Sequence, residues 1–169
     1  SAVKYVYENK IRSGSNSYTF APNSKVTRGM LVTMLHNMEN KPYVAGTSKF
    51  SDVKNTKEYY YVAVKWAAKN NIVSGYSNGK FGPNDPITRE QLAVILNNYC
   101  RYKGKYKAIH ANFTKFKDSN KISTYAKWGM NWAIGNKIIN GSNGKLNPQG
   151  TATRAEAAAM LSNYCNVIK

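Results

Sequence analysis

The chain carries one motif order three times, at spacings of 61 to 66 residues, and such a period confines it to a repeat architecture. Phe50-Ser51-Asp52-Val53 and Ala63-Val64-Lys65-Trp66-Ala67-Ala68 return 66 residues later as Phe116-Lys117-Asp118-Ser119 and Gly129-Met130-Asn131-Trp132-Ala133-Ile134. Ile72-Val73-Ser74-Gly75 corresponds to Ile138-Ile139-Asn140-Gly141, and after a one-residue deletion near Tyr76 the offset falls to 65. Asn78-Gly79-Lys80-Phe81 then pairs with Asn143-Gly144-Lys145-Leu146, Thr88-Arg89 with Thr153-Arg154, and Asn98-Tyr99-Cys100 with Asn163-Tyr164-Cys165. A third copy lies at the front, 61 residues ahead of the middle one: Tyr5, Ile11, Gly14 and Val26-Thr27-Arg28 fall on Trp66, Ile72, Gly75 and Ile87-Thr88-Arg89. That copy opens without a Phe-x-Asp element, and further residues are expected upstream.

Each copy reads as helix, loop, helix. Residues from Tyr59 to Asn70 favour a helix that stops at Asn70-Asn71, and the loop that follows is dense in Gly, Asn and Pro. The second helix carries apolar side chains at i, i+3, i+4, i+7: Leu31, Met34, Leu35, Met38; Leu92, Ile95, Leu96, Tyr99; Ala157, Met160, Leu161, Tyr164. One such stripe cannot bury itself. Three related helices are therefore expected to face one another around a shared core, with the copies spanning 1–45, 48–103 and 112–169.

Thr27, Thr88 and Thr153 stand where each second helix needs an N-cap, and Gln91 and Glu156 complete the spacing of a capping box in two copies; Met30 holds that place in the first. The next residue is Arg28, Arg89 or Arg154. A cation in the first turn opposes the helix dipole by about 0.3–1 kcal/mol, so helix stability alone would select another residue. A guanidinium beside open helix N–H groups is instead a good receptor for a carboxylate or phosphate. The competing reading is structural, an ion pair between copies with Asp52, Asp85 or Asp118.

The charge balance points the same way. The chain has 25 Lys plus Arg against 8 Asp plus Glu, a formal net charge of +17 at pH 7. The cations are spread along the whole length, so the field belongs to the folded body and attracts an anionic partner: nucleic acid, an anionic lipid face or an anionic glycan. No apolar run approaches the roughly 20 residues of a membrane-spanning helix. The nucleic-acid reading lacks any recognised motif, and the aromatics sit at core spacings.

At positions 50 to 91, Phe-x-Asp, Ala-Val-x-Trp-Ala, Ile-Val-Ser-Gly-Tyr-Ser-Asn-Gly-Lys-Phe-x-Pro and Ile-Thr-Arg-Glu-Gln closely resemble the S-layer homology domain. The third copy resembles it with gaps, and the first from its helix onward. The resemblance implies a mainly α fold: three helix-loop-helix repeats in a pseudo-threefold arrangement around a central three-helix bundle. It implies non-covalent anchoring, outside the cell, to an anionic secondary cell wall polysaccharide linked to peptidoglycan, often through a pyruvate ketal on N-acetylmannosamine. The same long chain would then hold a cargo domain or S-layer protein. Carried over residue by residue, the family's arginine falls on Arg89, Arg154 and, with Gly29-Met30 in place of Ala-Glu, Arg28. Its aspartate falls on Asp52 and Asp118, its loop glycine on Gly14, Gly75 and Gly141. Tyr59 and Tyr125 stand in for its tryptophan and could stack on a sugar.

Lys80 and Lys145 follow the Asn-Gly turn, within reach of an anion or simply solvated. Trp66 and Trp132 share one helix position that favours core packing, while Trp128 has no counterpart and no assigned role. His36 and His110 are not equivalent, and nothing supports a metal, a cofactor or a catalytic constellation. Cys100 and Cys165 are equivalent positions that read as free buried thiols or as a bridge. A self-assembly module without a glycan site is the remaining alternative.

Overall fold

The computed structural model describes residues 23–169. Readings placed on Tyr5, Ile11 and Gly14 lie outside these residues. Among the described residues five helices follow in order: α1 (Arg28–Met38), α2 (Tyr61–Lys69), α3 (Arg89–Tyr102), α4 (Lys127–Gly135) and α5 (Arg154–Val167). Two single-turn 3-10 segments, Ser119–Lys121 and Thr124–Ala126, precede α4. The described residues contain no named strand, and the chain is mainly α.

The apolar stripes decide the packing. Leu31, Leu35, Leu92, Leu96 and Leu161 are all but fully buried, in one core with Trp66 and Trp132, each 1% exposed. The second helix of one copy packs on the first helix of the next, α1 on α2 and α3 on α4. Gly129 permits the second contact, because a Cβ there would lie 2.9 Å from Val94 Cα. At the far ends of the second helices the Tyr164 ring meets those of Tyr99 (5.7 Å) and Trp132 (6.2 Å), and the Tyr99 hydroxyl donates to Glu39. Cys100 and Cys165 form no disulfide there; Cys100 is buried and Cys165 half-buried, and burial pushes the Cys100 thiol up.

Helix ends are set by local chemistry. After α2, Asn71 takes a positive φ of 58°, its N–H donates to Ala68 O, and Ile72 N–H donates to Ala67 O at 2.8 Å. This is a Schellman closure, completed by burial of Ile72. Lys137 and Ile138 repeat it after α4, as do Asn40 and Lys41 after α1, and Gly104 and Lys105 after α3.

The copies are laced together ahead of the second helices. Val26 N–H donates to Ala152 O (3.3 Å), Ala152 N–H to Ile87 O (2.9 Å) and Ile87 N–H to Val26 O (2.8 Å), a closed ring of three equivalent, buried residues. A second ring surrounds it. Arg28 N–H donates to Asp85 O (3.0 Å), Arg89 N–H to Gly150 O (2.9 Å) and Arg154 N–H to Ser24 O (2.8 Å). Each second helix therefore starts against the turn of a different copy, and that geometry decides what each arginine faces.

Candidate functional site

The three threonines sit at the helix starts as caps. Thr27 Oγ1 accepts from Met30 N–H at 3.1 Å, Thr88 from Gln91 at 3.2 Å and Thr153 from Glu156 at 3.2 Å. A reciprocal bond, from Thr88 N–H to Gln91 Oε1 at 3.1 Å, closes a capping box in the middle copy. The box expected at Thr153 does not close, because the Glu156 carboxylate turns to Arg89 of the preceding copy.

Open helix N–H groups beside the arginines are also overturned as an expectation. Arg28 and Gly29 N–H are taken by Asp85 and Pro83 carbonyls, Arg89 and Glu90 N–H by Gly150 and Pro148, and the next N–H by the capping threonine. The orphan donors of α1 and α3 are thus spent on the neighbouring copy and on the capping threonines.

Each arginine lines a groove whose other walls belong to the other copies. Arg28 shares a groove of 350 Å³ with Gly75 and Tyr76 of the middle loop, Gln91 and Asn98 of α3, and Tyr125. Arg89 shares one of 1130 Å³ with Gly141 and Lys145 of the last loop and Glu156, Met160 and Asn163 of α5. Arg154 shares one of 760 Å³ with Met30, Thr33 and Asn37 of α1 and with Tyr59. Met30, Gln91 and Glu156 are equivalent positions, as are Asn37, Asn98 and Asn163. Thus one groove recurs three times with different chemistry.

The Arg28 guanidinium is buried (6% exposed), donates from Nε to Phe81 O at 2.8 Å, and lies 4.6 Å and 4.8 Å from the Tyr76 and Phe81 ring centroids. Burial lowers its pKa from the usual arginine value, while Tyr76 and Asp85 act to hold its charge. Tyr76 in turn donates to Asp85 Oδ2 at 2.9 Å, and burial and that bond push its pKa up. Arg89 is committed to Glu156. Arg154 keeps a buried Nε with no hydrogen-bond partner among the described residues.

Asp52 and Asp118 serve the loops. Asp52 accepts from Phe81 and Gly82 N–H, both at 2.8 Å, and Asp118 from Leu146 and Asn147 N–H, both at 2.8 Å. Burial acts to raise the Asp118 pKa, but the backbone donors outweigh it and hold the carboxyl below the usual aspartate range. Gly75 (φ +79°) and Gly141 (φ +75°) lie where a Cβ would strike the Phe50 and Phe116 rings of their own copies, at 2.4 and 2.7 Å. The Phe-x-Asp element and the loop glycine are thus parts of one clamp. Asn98 and Asn163 add a second tether, donating to Ile72 O (3.1 Å) and Ile138 O (3.3 Å).

Tyr59 and Tyr125 are 55% and 59% exposed at groove edges. Burial of its hydroxyl, then the Glu90 carboxylate, pushes Tyr125 up to about 12, so it stays neutral at ordinary pH. Lys80 is exposed in its turn, and Lys145 lines the Arg89 groove. The sequence gives Met30, Gln91 and Glu156 a capping role alone, marks Tyr76 by its missing counterpart in the third loop, and assigns the asparagines no role. The offset that aligned the arginines aligned these as well. Among the described residues no three His, Cys, Asp or Glu side chains could hold a metal ion, and no helix is long and apolar enough to cross a membrane.

The family model for the S-layer homology domain matches residues 1–29, 49–93 and 115–158. Among curated proteins the chain is similar to an endoglucanase of Bacillus sp. (strain KSM-635), 29% identical over 95% of this chain and 17% of that protein. It is 34% identical over 94% of its length to the exoglucanase XynX of Acetivibrio thermocellus, covering 14% of it. A surface-layer 125 kDa protein of Lysinibacillus sphaericus is 29% identical over 95% of this chain and 13% of that protein. The chain spans less than a fifth of each of these relatives.

Proposed function

Because this chain belongs to the S-layer homology domain family, we propose that it holds a longer protein to the bacterial wall by receiving acidic units of a secondary cell wall polysaccharide in its three grooves. Membership makes it a cell-wall anchoring module of the cell surface. The finer reading concerns the ligand: a pyruvylated N-acetylmannosamine unit whose carboxylate meets Arg28, Arg89 or Arg154. The observation that carries it is the recurrence of one arginine, at one helix position, in three grooves: Arg28 and Arg89 each face a second copy's loop and helix, and Arg154 faces, among the described residues, α1 and α2. The net charge of +17 adds a long-range pull on an anionic polymer.

In this reading Asp52 and Asp118 act by holding the loops, so that Gly75 and Gly141 present backbone to the sugar at close range. Gly14 would do the same in the first copy. Tyr59 and Tyr125 stand at the rims, and Lys80 and Lys145 lend charge beside their loops. The part of the full-length protein that does other work lies outside this chain, since its relatives include enzymes and a surface-layer protein several times longer.

The test is co-sedimentation with purified sacculi before and after the polymer is stripped, together with titration calorimetry against a pyruvylated N-acetylmannosamine glycoside. Binding to native sacculi only is expected. Replacing an arginine with Ala removes charge-assisted bonds worth about 1.5–3 kcal/mol, about 10- to 150-fold in affinity at its groove. Equal binding to stripped sacculi, or no effect of the triple Ala variant, refutes the reading. Sequence-indifferent DNA binding with a steep salt dependence would put the nucleic-acid alternative in its place.

A further inference from the structure

The Arg28 groove does not end at Tyr125. Beyond it lies a second cavity of 380 Å³, and Val94, Asn98 and Tyr125 line both, so the two adjoin. The far part is walled by Trp128 on α4 and by Arg101 and Tyr106 across from it. Trp128 is 74% exposed, whereas Trp66 and Trp132 are each 1% exposed. Its equivalent in the middle copy is Val62, so the repeat pattern gives no structural reason for an indole there.

The remaining walls carry several polar groups. Arg101 donates from Nε to Asn97 Oδ1 at 3.0 Å, and its guanidinium lies flat enough on Tyr106 to come within 3.5 Å of the ring centroid. Asn97 also lines this cavity and is 4% exposed, yet its Nδ2 has no hydrogen-bond partner among the described residues. A buried amide donor is normally paired, and one left without an acceptor beside a cavity marks a place for a ligand oxygen. An exposed aromatic face on one side and amide and guanidinium donors on the other suit a molecule with an apolar face and hydroxyl edges. A pyranose is such a molecule.

We propose that this shelf is a second sugar subsite, taking a neutral sugar unit that neighbours the acidic one in the same polysaccharide chain. The sugar's C–H face lies on the Trp128 indole, and its hydroxyls meet Asn97, Arg101 and the Tyr125 edge. The inference rests on the reading of the Arg28 groove as the acidic-unit site. It gives that groove a sugar platform the other two lack, because only the third copy supplies the tryptophan. Covering about 60 Å² of apolar indole surface is worth about tenfold in affinity.

Tryptophan fluorescence isolates the shelf. The chain has three tryptophans, and two are sealed in the core, so acrylamide quenching reports Trp128. Secondary wall polysaccharide released from sacculi is expected to shield Trp128 from acrylamide, while the pyruvylated N-acetylmannosamine glycoside alone is not. By calorimetry, Trp128→Ala is expected to bind the polysaccharide about tenfold more weakly and the glycoside unchanged, and Trp128→Phe to recover most of the loss. If the polysaccharide binds the unaltered chain while Trp128 stays fully quenchable and Trp128→Ala binds normally, the shelf is refuted and the Arg28 groove stands. If neither probe binds, both readings fall. If only a nucleotide or a protein shields Trp128, the sugar subsite is refuted.

Discussion

The Arg89–Glu156 pair offers a test in which stability and ligand binding move separately. Its side chains are 21% and 39% exposed, so the pair is worth about 0.2–1 kcal/mol, as exposed ion pairs generally are. A ligand acid that takes Arg89 must first displace Glu156. Glu156→Gln removes that competitor and is expected to strengthen binding at this groove by up to about fivefold, the equivalent of about 1 kcal/mol. The same substitution reproduces Gln91, whose Oε1 accepts from Thr88 N–H, so the new glutamine can close the capping box that Glu156 leaves open. That gain offsets the lost pair, and Tm is expected to move by less than about 4 °C. Titration calorimetry with the acidic glycoside and differential scanning calorimetry read the two effects. A fall in affinity would show that Glu156 itself accepts from the sugar, and a fall in Tm well beyond 4 °C would show that the pair is structural. The reciprocal Gln91→Glu places a carboxylate in the Arg28 groove and is expected to weaken binding there.

Two further outcomes concern the loops. The Asp118 carboxyl lies below the usual aspartate pKa of about 3.9, so its contribution is present above that value and is lost as the pH falls through the lower, folded value. Asp118→Asn keeps one acceptor for Leu146 or Asn147, is expected to destabilise the chain by about 2–3 kcal/mol at pH 7, and flattens the acid limb of the Tm–pH curve; an unchanged acid limb refutes the clamp. Gly75→Ala puts a methyl against the Phe50 ring and Lys80 O at a φ of +79°, and is expected to lower both Tm and affinity at the Arg28 groove while leaving the other grooves intact. Normal binding stoichiometry with a normal Tm would refute that.

What the sequence made readable follows from the range of each interaction. Thr88, Asp52 and Gly75 answer to needs within one copy: a helix start, a turn's free N–H groups, and a left-handed backbone beside Phe50. Those needs recur at a fixed offset, and so do the residues. The direction in which copies engage does not recur in that way, because it is set by the backbone rings through Val26, Ile87 and Ala152 and through the three arginine N–H groups. Residue types say nothing about such bonds, so nothing local could tell that Arg28 faces the Gly75 loop or that Arg89 faces the Gly141 loop. The place of Met30 is settled by the same engagement. Met30 looked like a defect of the first copy's own arginine, yet it faces Arg154, while Arg28 faces Gln91 and Arg89 faces Glu156. A residue that breaks the repeat therefore marks the groove of another copy's arginine, and Trp128, the strongest such break, falls on the extension of the groove that holds Arg28.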